Sequence, residues 1–212
     1  AGALRQYLLN HEALPDEPLI AGIPVSIRTG DEDDPWTNRV SSIFASLPTD
    51  EADPLERIRR VNEAMNEAKG NFELIPADIL VEVSDLIPTG LATRATRLAS
   101  RFRLADRVNL PFNLIISNVP GPREPLYMGG AQLQHYYPVS TVMDGQGLNI
   151  TVQSYHDALD FGLVACRELV PDLWDLADLC VRELEAIAAA AGLELDLSSE
   201  PSAAPKRPKA KD

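Results

Sequence analysis

The stretch FNLIISNVPGPREPLYMGG, residues 112–130, decides the fold. It opens with strand-forming apolar residues, and this run ends in the polar pair Ser117-Asn118. Pro120-Gly121-Pro122 then predicts a rigid turn, since proline fixes φ and glycine readily takes the positive φ of a type II turn. A strand that only fills a core needs no polar pair there. The pair indicates either a hydrogen-bonding platform beside a binding channel or a turn in which Asn118 satisfies its own backbone.

Alternation of apolar and polar residues predicts further strands on both sides of this stretch. Residues 17–28 alternate, and Pro24 places them at a sheet edge or at an irregularity because proline cannot donate to a ladder. Residues 39–48 are apolar on parts of both faces, which predicts a buried strand. Downstream, the predicted strands are 132–139, 147–155 and 158–165, the last two forming a hairpin that turns at His156-Asp157.

Residues 53–71 show the clearest helical pattern. Asp53 is the predicted N-cap, with Pro54 in the first turn, Glu56 completing a capping box and Gly70 as a natural stop. The predicted apolar stripe of this helix comprises Leu55, Ile58, Val61, Met65 and Ala68.

Three more segments have helical periodicity. A helix along residues 4–11 lacks a start signal, so we expect it to begin upstream of Ala1. Residues 76–104 predict two helical pieces, and residues 170–192 predict a final helix. Because strands and helices mix without strict alternation, the predicted fold class is α/β (α+β), a mixed β-sheet flanked by helices. We expect one domain over residues 1–195 and a disordered basic tail over residues 196–212.

Composition and charge argue against several classes of partner and ligand. The 212-residue chain is 45% hydrophobic and carries a net charge of −13, which argues against nucleic acid as a partner because phosphates would be repelled. Cys166 and Cys180 lack C-x-x-C spacing and predict reduced thiols of a cytoplasmic protein. The sequence has no apolar run of membrane-spanning length, no phosphate-binding glycine motif and no H-E-x-x-H, so neither a membrane span nor a bound cofactor or metal is predicted.

The titratable residues offer two candidate groups. His11, His135 and His156 are far apart in sequence, and for each the favoured interpretation is a structural role rather than that of a general base. Arg94, Arg97 and Arg101 share one face of a predicted helix. That face would bind the phosphates of a nucleotide-type cofactor or anionic lipid head groups, or it is a solvated face paired with nearby acids.

Further motifs follow the opening stretch in a fixed order. They are YYPVSTVMDGQGLNITVQSY (136–155) and LDFGLVACRELVPDLWDLA (159–177), and they are preceded by AGALRQYLL (1–9) and LPTDEADPLERIRRV (47–61). In order and spacing these segments closely resemble the C-terminal region of the bacterial wax ester synthase/diacylglycerol acyltransferase family. The resemblance covers nearly the whole chain up to the tail.

The resemblance implies a CoA-dependent acyltransferase fold like that of chloramphenicol acetyltransferase, in which two similar halves enclose a channel. It implies acyl-CoA as a substrate rather than a resident cofactor, and diacylglycerol or a long-chain alcohol as the acceptor. In the family, a His-His-x-x-x-Asp-Gly motif of the N-terminal half supplies the base. That motif is absent here, so no catalytic residue is predicted in this chain. We expect the chain alone to be inactive and the N-terminal half of the enzyme to be its partner.

By the same resemblance, Ser117 and Asn118 are predicted to line the channel and bind substrate, together with Asn149 and Thr151 on the next long strand. The implied location is cytoplasmic, or peripheral at the inner membrane or at lipid droplets. Two alternatives stay open. One is a non-catalytic lipid- or protein-binding module of the same half-fold. The other is half of a peptide-synthetase condensation domain, which would require a pantetheine-carrier partner.

Overall fold

The computed structural model describes residues 1–26, 40–73, 111–142 and 146–195. The predicted helices of residues 76–104, with Arg94, Arg97 and Arg101, and the predicted tail of residues 196–212 lie outside the described residues.

Three helices and seven strands make up the described part of the chain. The helices are α1 (Gly2–Asn10), α2 (Pro54–Glu73) and α3 (Leu173–Ala190). The strands are β1 (Leu19–Ser26), β2 (Val40–Leu47), β3 (Leu114–Val119), β4 (Tyr127–Met128), β5 (Ala131–Gln132), β6 (Leu148–Tyr155) and β7 (Ala158–Ala165).

The long strands form a five-stranded mixed sheet in the order β2-β1-β3-β6-β7. The central pairs β1–β3 and β3–β6 are parallel, and the outer pairs β1–β2 and β6–β7 are antiparallel. Strands β4 and β5 form a separate two-stranded ladder. The fold class predicted from the sequence, an α/β chain with a mixed sheet, is confirmed.

The chain divides into two compact units. Among the described residues, one unit comprises 1–18, 48–60 and 172–195 and holds α1, the beginning of α2, and α3. The other comprises 19–26, 40–47, 61–73, 111–142 and 146–171 and holds the sheet. In the helical unit, α1 packs against α3, with Leu4 and Tyr7 of α1 and Leu176 and Leu179 of α3 buried.

Strand β1 lies between β2 and β3 and nevertheless contains Pro24. The ladder between β1 and β3 covers only Ala21 and Gly22, which pair with Leu114 and Ile115. Pro24 lies beyond that ladder, where β1 pairs only with β2, so its missing N–H group breaks no hydrogen bond toward β3. The proline thus lies in a locally edge-like part of a strand that is internal to the sheet.

Two predicted strands differ from the structure. Strand β2 is an edge strand that buries one face, through Ile43, Ala45 and Leu47, while Phe44 on the other face is exposed. The predicted burial of this strand is therefore confirmed for one face and wrong for the other. Of the strand predicted over residues 132–139, only Gln132 is in a ladder. Residues 133–139 alternate in polarity but follow an irregular path.

The β6–β7 hairpin is confirmed. Tyr155 pairs with Ala158, so the connection is the two residues His156-Asp157. His156 takes the positive φ (53°) that such tight turns require, and its Nδ1 lies 2.6 Å from Asp157 Oδ1. This histidine has the structural role that the sequence predicted.

Helix α2 has the predicted start but a different middle and end. Asp53 Oδ1 accepts from the backbone N–H groups of Leu55 (3.0 Å) and Glu56 (2.8 Å), which confirms the N-cap. The capping box is wrong, because Glu51 instead of Glu56 accepts from the N–H of Asp53. The helix also continues past Gly70 to Glu73.

The predicted apolar stripe of α2 is wrong in its first turns, where Leu55 and Ile58 are exposed and Arg57 is buried. Arg57 donates to Glu183 of α3 through Nη2 (2.6 Å) and Nε (3.2 Å), and to the carbonyl of Glu51 (2.6 Å). A buried guanidinium needs such partners, and their positions follow from the packing of helices distant in sequence.

Candidate functional site

The carboxyl end of β3 delivers Ser117 and Asn118 to opposite faces of the sheet. In the parallel register, Ser117 pairs with Thr151 of β6, and Asn118 pairs with Val152. Since paired residues project to the same face and neighbours alternate, Ser117 lies on the face of Thr151, and Asn118 lies on the face of Val152. The structure therefore separates the two members of the predicted polar pair.

Three of the four predicted site residues share one face. Asn149 and Thr151 are two residues apart on β6, and the β3 register places Ser117 beside them. Asn149 and Thr151 are only 4% and 5% exposed, whereas Ser117 is half-buried. We call the side of the sheet that carries these three residues the polar face. Its further polar members are Gln153 of β6 and Asp160 of β7, and the same face also carries Gly162 and the apolar residues Ile115, Val119 and Val164.

The buried members of this face are held by hydrogen bonds. Thr151 Oγ1 donates to Asn149 Oδ1 at 3.1 Å, and Asn149 Nδ2 donates to the carbonyl of Thr141 at 3.2 Å. These bonds fix the orientation of the amide and use about half of its hydrogen-bonding capacity. Ser117, by contrast, has no hydrogen-bond partner for its hydroxyl among the residues that the structure describes, so this hydroxyl is free to meet a ligand.

The turn after β3 is rigid, but for a different reason from the one predicted. Gly121 does not take a positive φ, so the predicted type II turn is wrong. Its N–H donates to Ser154 Oγ at 3.0 Å, and a Cβ at this position would lie 2.0 Å from the carbonyl oxygen of Ser154. Glycine is required because β6 passes too close for a side chain. The N–H of His156 also donates to the carbonyl of Pro122 at 2.9 Å.

Asp160 is a buried carboxylate that the sequence analysis did not single out. It is 5% exposed, accepts from the N–H of Tyr136 at 2.6 Å and lies 3.1 Å from His135 Nδ1. The imidazole of His135 stacks on the ring of Tyr137. These contacts agree with the structural role expected for His135, which stays a prediction. The sequence did contain a signal for Asp160, since it is the one acidic residue in the otherwise apolar strand LDFGLVA.

His11 lies in the helical unit and also has a structural role. Its Nδ1 donates to the carbonyl of Tyr7 at 2.7 Å, and its Nε2 lies 3.0 Å from Asp172 Oδ2. Both ring nitrogens face acceptors, so the backbone hydrogen bond to Tyr7 and the carboxylate together raise the pKa of His11. The hydroxyl of Tyr7 also donates to Asp172, and this bond lowers the pKa of that carboxyl.

A cleft of about 450 Å³ in the helical unit is lined by Arg5, Arg57, Arg182 and Glu183. Arg5 donates to the carbonyls of Thr49 (2.8 Å) and Asp50 (3.0 Å). These carbonyls hold Arg5 in place without compensating its charge, and among the four charged residues named here Arg57 and Glu183 form an ion pair.

Within the described ranges, no three His, Cys, Asp or Glu side chains are grouped in a way that could hold a metal ion. None of the described helices is both long enough and apolar enough to cross a membrane. Cys166 and Cys180 are free thiols, as predicted, and burial raises the pKa of Cys180. The polar face consists of hydroxyl, amide and carboxylate groups, a set suited to orienting a ligand by hydrogen bonds.

Comparison with known proteins identifies the class to which this fold and face belong. Residues 36–188 match the model of the WS/DGAT C-terminal domain, so the chain belongs to the wax ester synthase/diacylglycerol acyltransferase family. The family resemblance found in the sequence is confirmed.

Two relatives show how far the likeness extends. The O-acyltransferase WSD of Acinetobacter baylyi is 42% identical over 187 residues, which cover 87% of this chain and 39% of that protein. The solved wax ester synthase/diacylglycerol acyltransferase from Marinobacter aquaeolei VT8 is 36% identical, with a TM-score of 0.68 over 91% of this chain and 42% of that one. The chain thus spans about two fifths of the length of these relatives.

Proposed function

We propose that this chain is the C-terminal part of an O-acyltransferase that transfers a long-chain acyl group from acyl-CoA to diacylglycerol or a fatty alcohol. The observation that carries the proposal is the family membership, which extends over most of the chain. In the proposed reaction, the acceptor hydroxyl loses its proton and attacks the thioester carbonyl carbon. The tetrahedral oxyanion then collapses and expels CoA thiolate.

This chain has the proposed role of one wall of the substrate channel. The three histidines of this chain are far apart in the sequence. His11 is hydrogen-bonded to the carbonyl of Tyr7, and His135 to Asp160. We therefore assign the proton-abstracting imidazole to the N-terminal half of the enzyme. Acyl-CoA is a substrate in this proposal, and no resident cofactor is required.

The polar face supplies the proposed wall. In this proposal the hydroxyl of Ser117, which lies beside Thr151, donates to the carbonyl oxygen of the thioester or to the oxyanion formed from it. Asn149 and Thr151 are buried and hydrogen-bonded beside it, so they would hold the local geometry with little reorganisation. Asn118, the other member of the predicted pair, would bind substrate only in a channel formed by the opposite face, beside Val152. Arg94, Arg97 and Arg101 are proposed to contact CoA phosphates or a membrane surface.

The test compares this chain alone with the full-length polypeptide that carries it, using acyl-CoA with either diacylglycerol or a long-chain alcohol and measuring neutral lipid formation. We expect turnover only in the full-length protein. Ester synthesis by the isolated chain would show that it contains its own base. Lipid binding by a full-length protein that cannot catalyse the reaction would instead favour a binding module.

A further inference from the structure

The cleft of the helical unit collects positive charge in a chain that is acidic as a whole. Three arginines line it, Arg5 of α1, Arg57 of α2 and Arg182 of α3, and Glu183 is the acid among its described lining residues. The net charge of the chain is −13. Cationic groups gathered in a concave site raise the local concentration of anions, so this lining favours an anionic ligand.

Arg57 and Glu183 compensate each other's charge. Arg57 donates to Oε1 of Glu183 through Nη2 (2.6 Å) and Nε (3.2 Å), and its Nη1 donates to the carbonyls of Glu51 (2.6 Å) and Ala52 (3.2 Å). A Cβ at Gly2 would lie 1.9 Å from the same Oε1, so α1 leaves room for the carboxylate only because residue 2 is glycine. The pair is fixed between the helices and adds little net charge to the cleft.

The other two arginines keep donors for a ligand. Arg5 donates to the carbonyls of Thr49 (2.8 Å) and Asp50 (3.0 Å) through Nη1 alone, which fixes its guanidinium and leaves Nε and Nη2 without a partner among the described residues. The guanidinium of Arg182 has neither a hydrogen bond nor an ion pair within the described ranges. Because backbone carbonyls carry no net charge, the cleft contains two uncompensated positive charges.

Acids close to the cleft in sequence are engaged elsewhere. The carboxylates of Asp50 and Glu51 lie 3.0 Å and 3.6 Å from Arg60 Nη1, and neither residue lines the cleft. Two amides do line it: Gln6 and Asn10, one turn apart on α1, where Gln6 Nε2 donates to Asn10 Oδ1 at 2.8 Å. Each amide keeps further donor or acceptor capacity beyond this bond, so the site combines cationic and neutral polar groups.

The charge and size of the cleft fit a phosphate monoester. Guanidinium groups bind phosphate oxygens in a bidentate manner, and a phosphorylated alcohol carries a charge of about −1.5 to −2 at pH 7. Two uncompensated arginines match that charge, whereas a carboxylate would compensate only one of them. The volume of about 450 Å³ lies within the range of small-molecule pockets, about 300–1,000 Å³, and leaves room for an organic group next to the phosphate.

We propose that this cleft is a binding site for a small phosphate monoester. Arg5 and Arg182 donate to the phosphate oxygens, and the amides of Gln6 and Asn10 contact the organic group. Because the arginines belong to α1 and α3, the bound phosphate connects helices that are distant in the sequence and stabilises the helical unit. The inference goes beyond the proposed acyl transfer and does not rest on it.

The test titrates glycerol phosphate into the full-length polypeptide at constant ionic strength and measures Kd by calorimetry and the rise in Tm that binding to the folded state causes. The variant is Arg182→Gln, which has no protein partner to lose. The matched control is Arg123→Gln, which removes the same charge from an exposed position outside the cleft. We expect Arg182→Gln to raise Kd by about tenfold or more, the scale of a charge-assisted hydrogen bond, and Arg123→Gln to leave Kd nearly unchanged. Without ligand, Arg182→Gln should unfold near the wild-type Tm.

A second arm of the experiment distinguishes a free phosphate monoester from a lipid head group, using vesicles of phosphatidylcholine with and without phosphatidic acid in a sedimentation assay. Binding that depends on Arg182 supports the site in either arm, and the arm with the lower Kd identifies the source of the phosphate.

Three results would overturn the proposal: no binding in either arm, an equal loss of affinity in Arg123→Gln and Arg182→Gln, or the same rise in Tm with sodium acetate in place of glycerol phosphate. The readout does not involve acyl transfer. An inactive protein that binds as expected therefore contradicts the proposed function alone, and an active protein that does not bind contradicts the phosphate site alone.

Discussion

Ser117 and Thr151 lie side by side in the parallel register of β3 and β6, and the neighbouring residue Asn118 faces the other side of the sheet beside Val152. The pleat sends successive side chains to opposite faces, so a channel wall formed by the polar face includes Ser117 and excludes Asn118.

This separation makes the two residues matched variants. In the full-length enzyme we expect Ser117→Ala to lower kcat/KM by roughly a hundredfold, the scale of losing one oxyanion donor, with little change in Tm. Asn118→Ala should leave kcat/KM nearly unchanged. The opposite result, with Asn118→Ala the damaging change, would place the channel on the face of Val152.

Gly121 is predicted to tolerate no side chain. A Cβ there would lie 2.0 Å from the backbone oxygen of Ser154, so Gly121→Ala should lower the free energy of unfolding by about 1–3 kcal/mol through overpacking. Gly70 is the control, since a Cβ at that position in α2 meets nothing within 4 Å. Gly70→Ala should stabilise the protein by up to about 1 kcal/mol because alanine favours helix. Denaturant unfolding followed by circular dichroism measures both, and equal effects would refute the close approach.

Tyr155 is predicted to hold residues 126–133 in place against β6. Tyr155→Phe removes the hydroxyl that bridges Leu126 and Leu133 and should cost about 1–3 kcal/mol, since it leaves two backbone groups without this partner. The exposed Tyr127 provides the control variant Tyr127→Phe. Hydrogen exchange should accelerate at residues 126–133 in the Tyr155 variant only. Unchanged exchange there would mean that other contacts hold the hairpin.

The ion pair of Arg57 with Glu183 should contribute more to stability than that of Arg59 with Glu56. Arg57 is buried, and replacing it by Ala leaves a partly buried carboxylate and a carbonyl without their donor, which should cost about 3–5 kcal/mol. Arg59→Ala removes an exposed pair within α2 and should change stability little. Thermal unfolding of the two variants distinguishes the pairs, and similar losses would contradict the burial argument.

His11 should make stability depend on pH. Its pKa is raised in the folded state, mainly by the backbone hydrogen bond to Tyr7, so its contribution is complete below the unfolded pKa of about 6.5 and disappears as pH rises through the folded value. His11→Gln should therefore lower Tm at about pH 5.5 and much less at about pH 9. This range keeps Asp172 ionised, since its pKa is lowered and its own contribution is lost only at more acidic pH. A Tm difference independent of pH would show that His11 does not titrate in folding.

Local patterns were sufficient for the elements with strong signals. The alternation of β1, β6 and β7, the Asp53 cap and the stop of α3 near Gly192 depend on neighbouring residues and on the geometry of a single strand or helix end. The same holds for the family resemblance, which rests on the order of short motifs. Predictions were wrong where burial depends on a segment that is distant in the sequence. Leu55 and Ile58 look like a core stripe, yet packing against α3 buries Arg57.

The amino-acid sequence by itself determined the mixed α/β class, the hairpin at His156-Asp157 and the polar residues at the end of β3, because each depends on short-range periodicity and turn chemistry. Only the tertiary structure decided which residues face one another across the sheet. The register of β3 against β6 places Ser117 beside Thr151. Residues 135–138 lie against β7, where the N–H of Tyr136 donates to the buried Asp160. Such pairings are set by contacts between segments far apart along the chain, and no local pattern encodes their register.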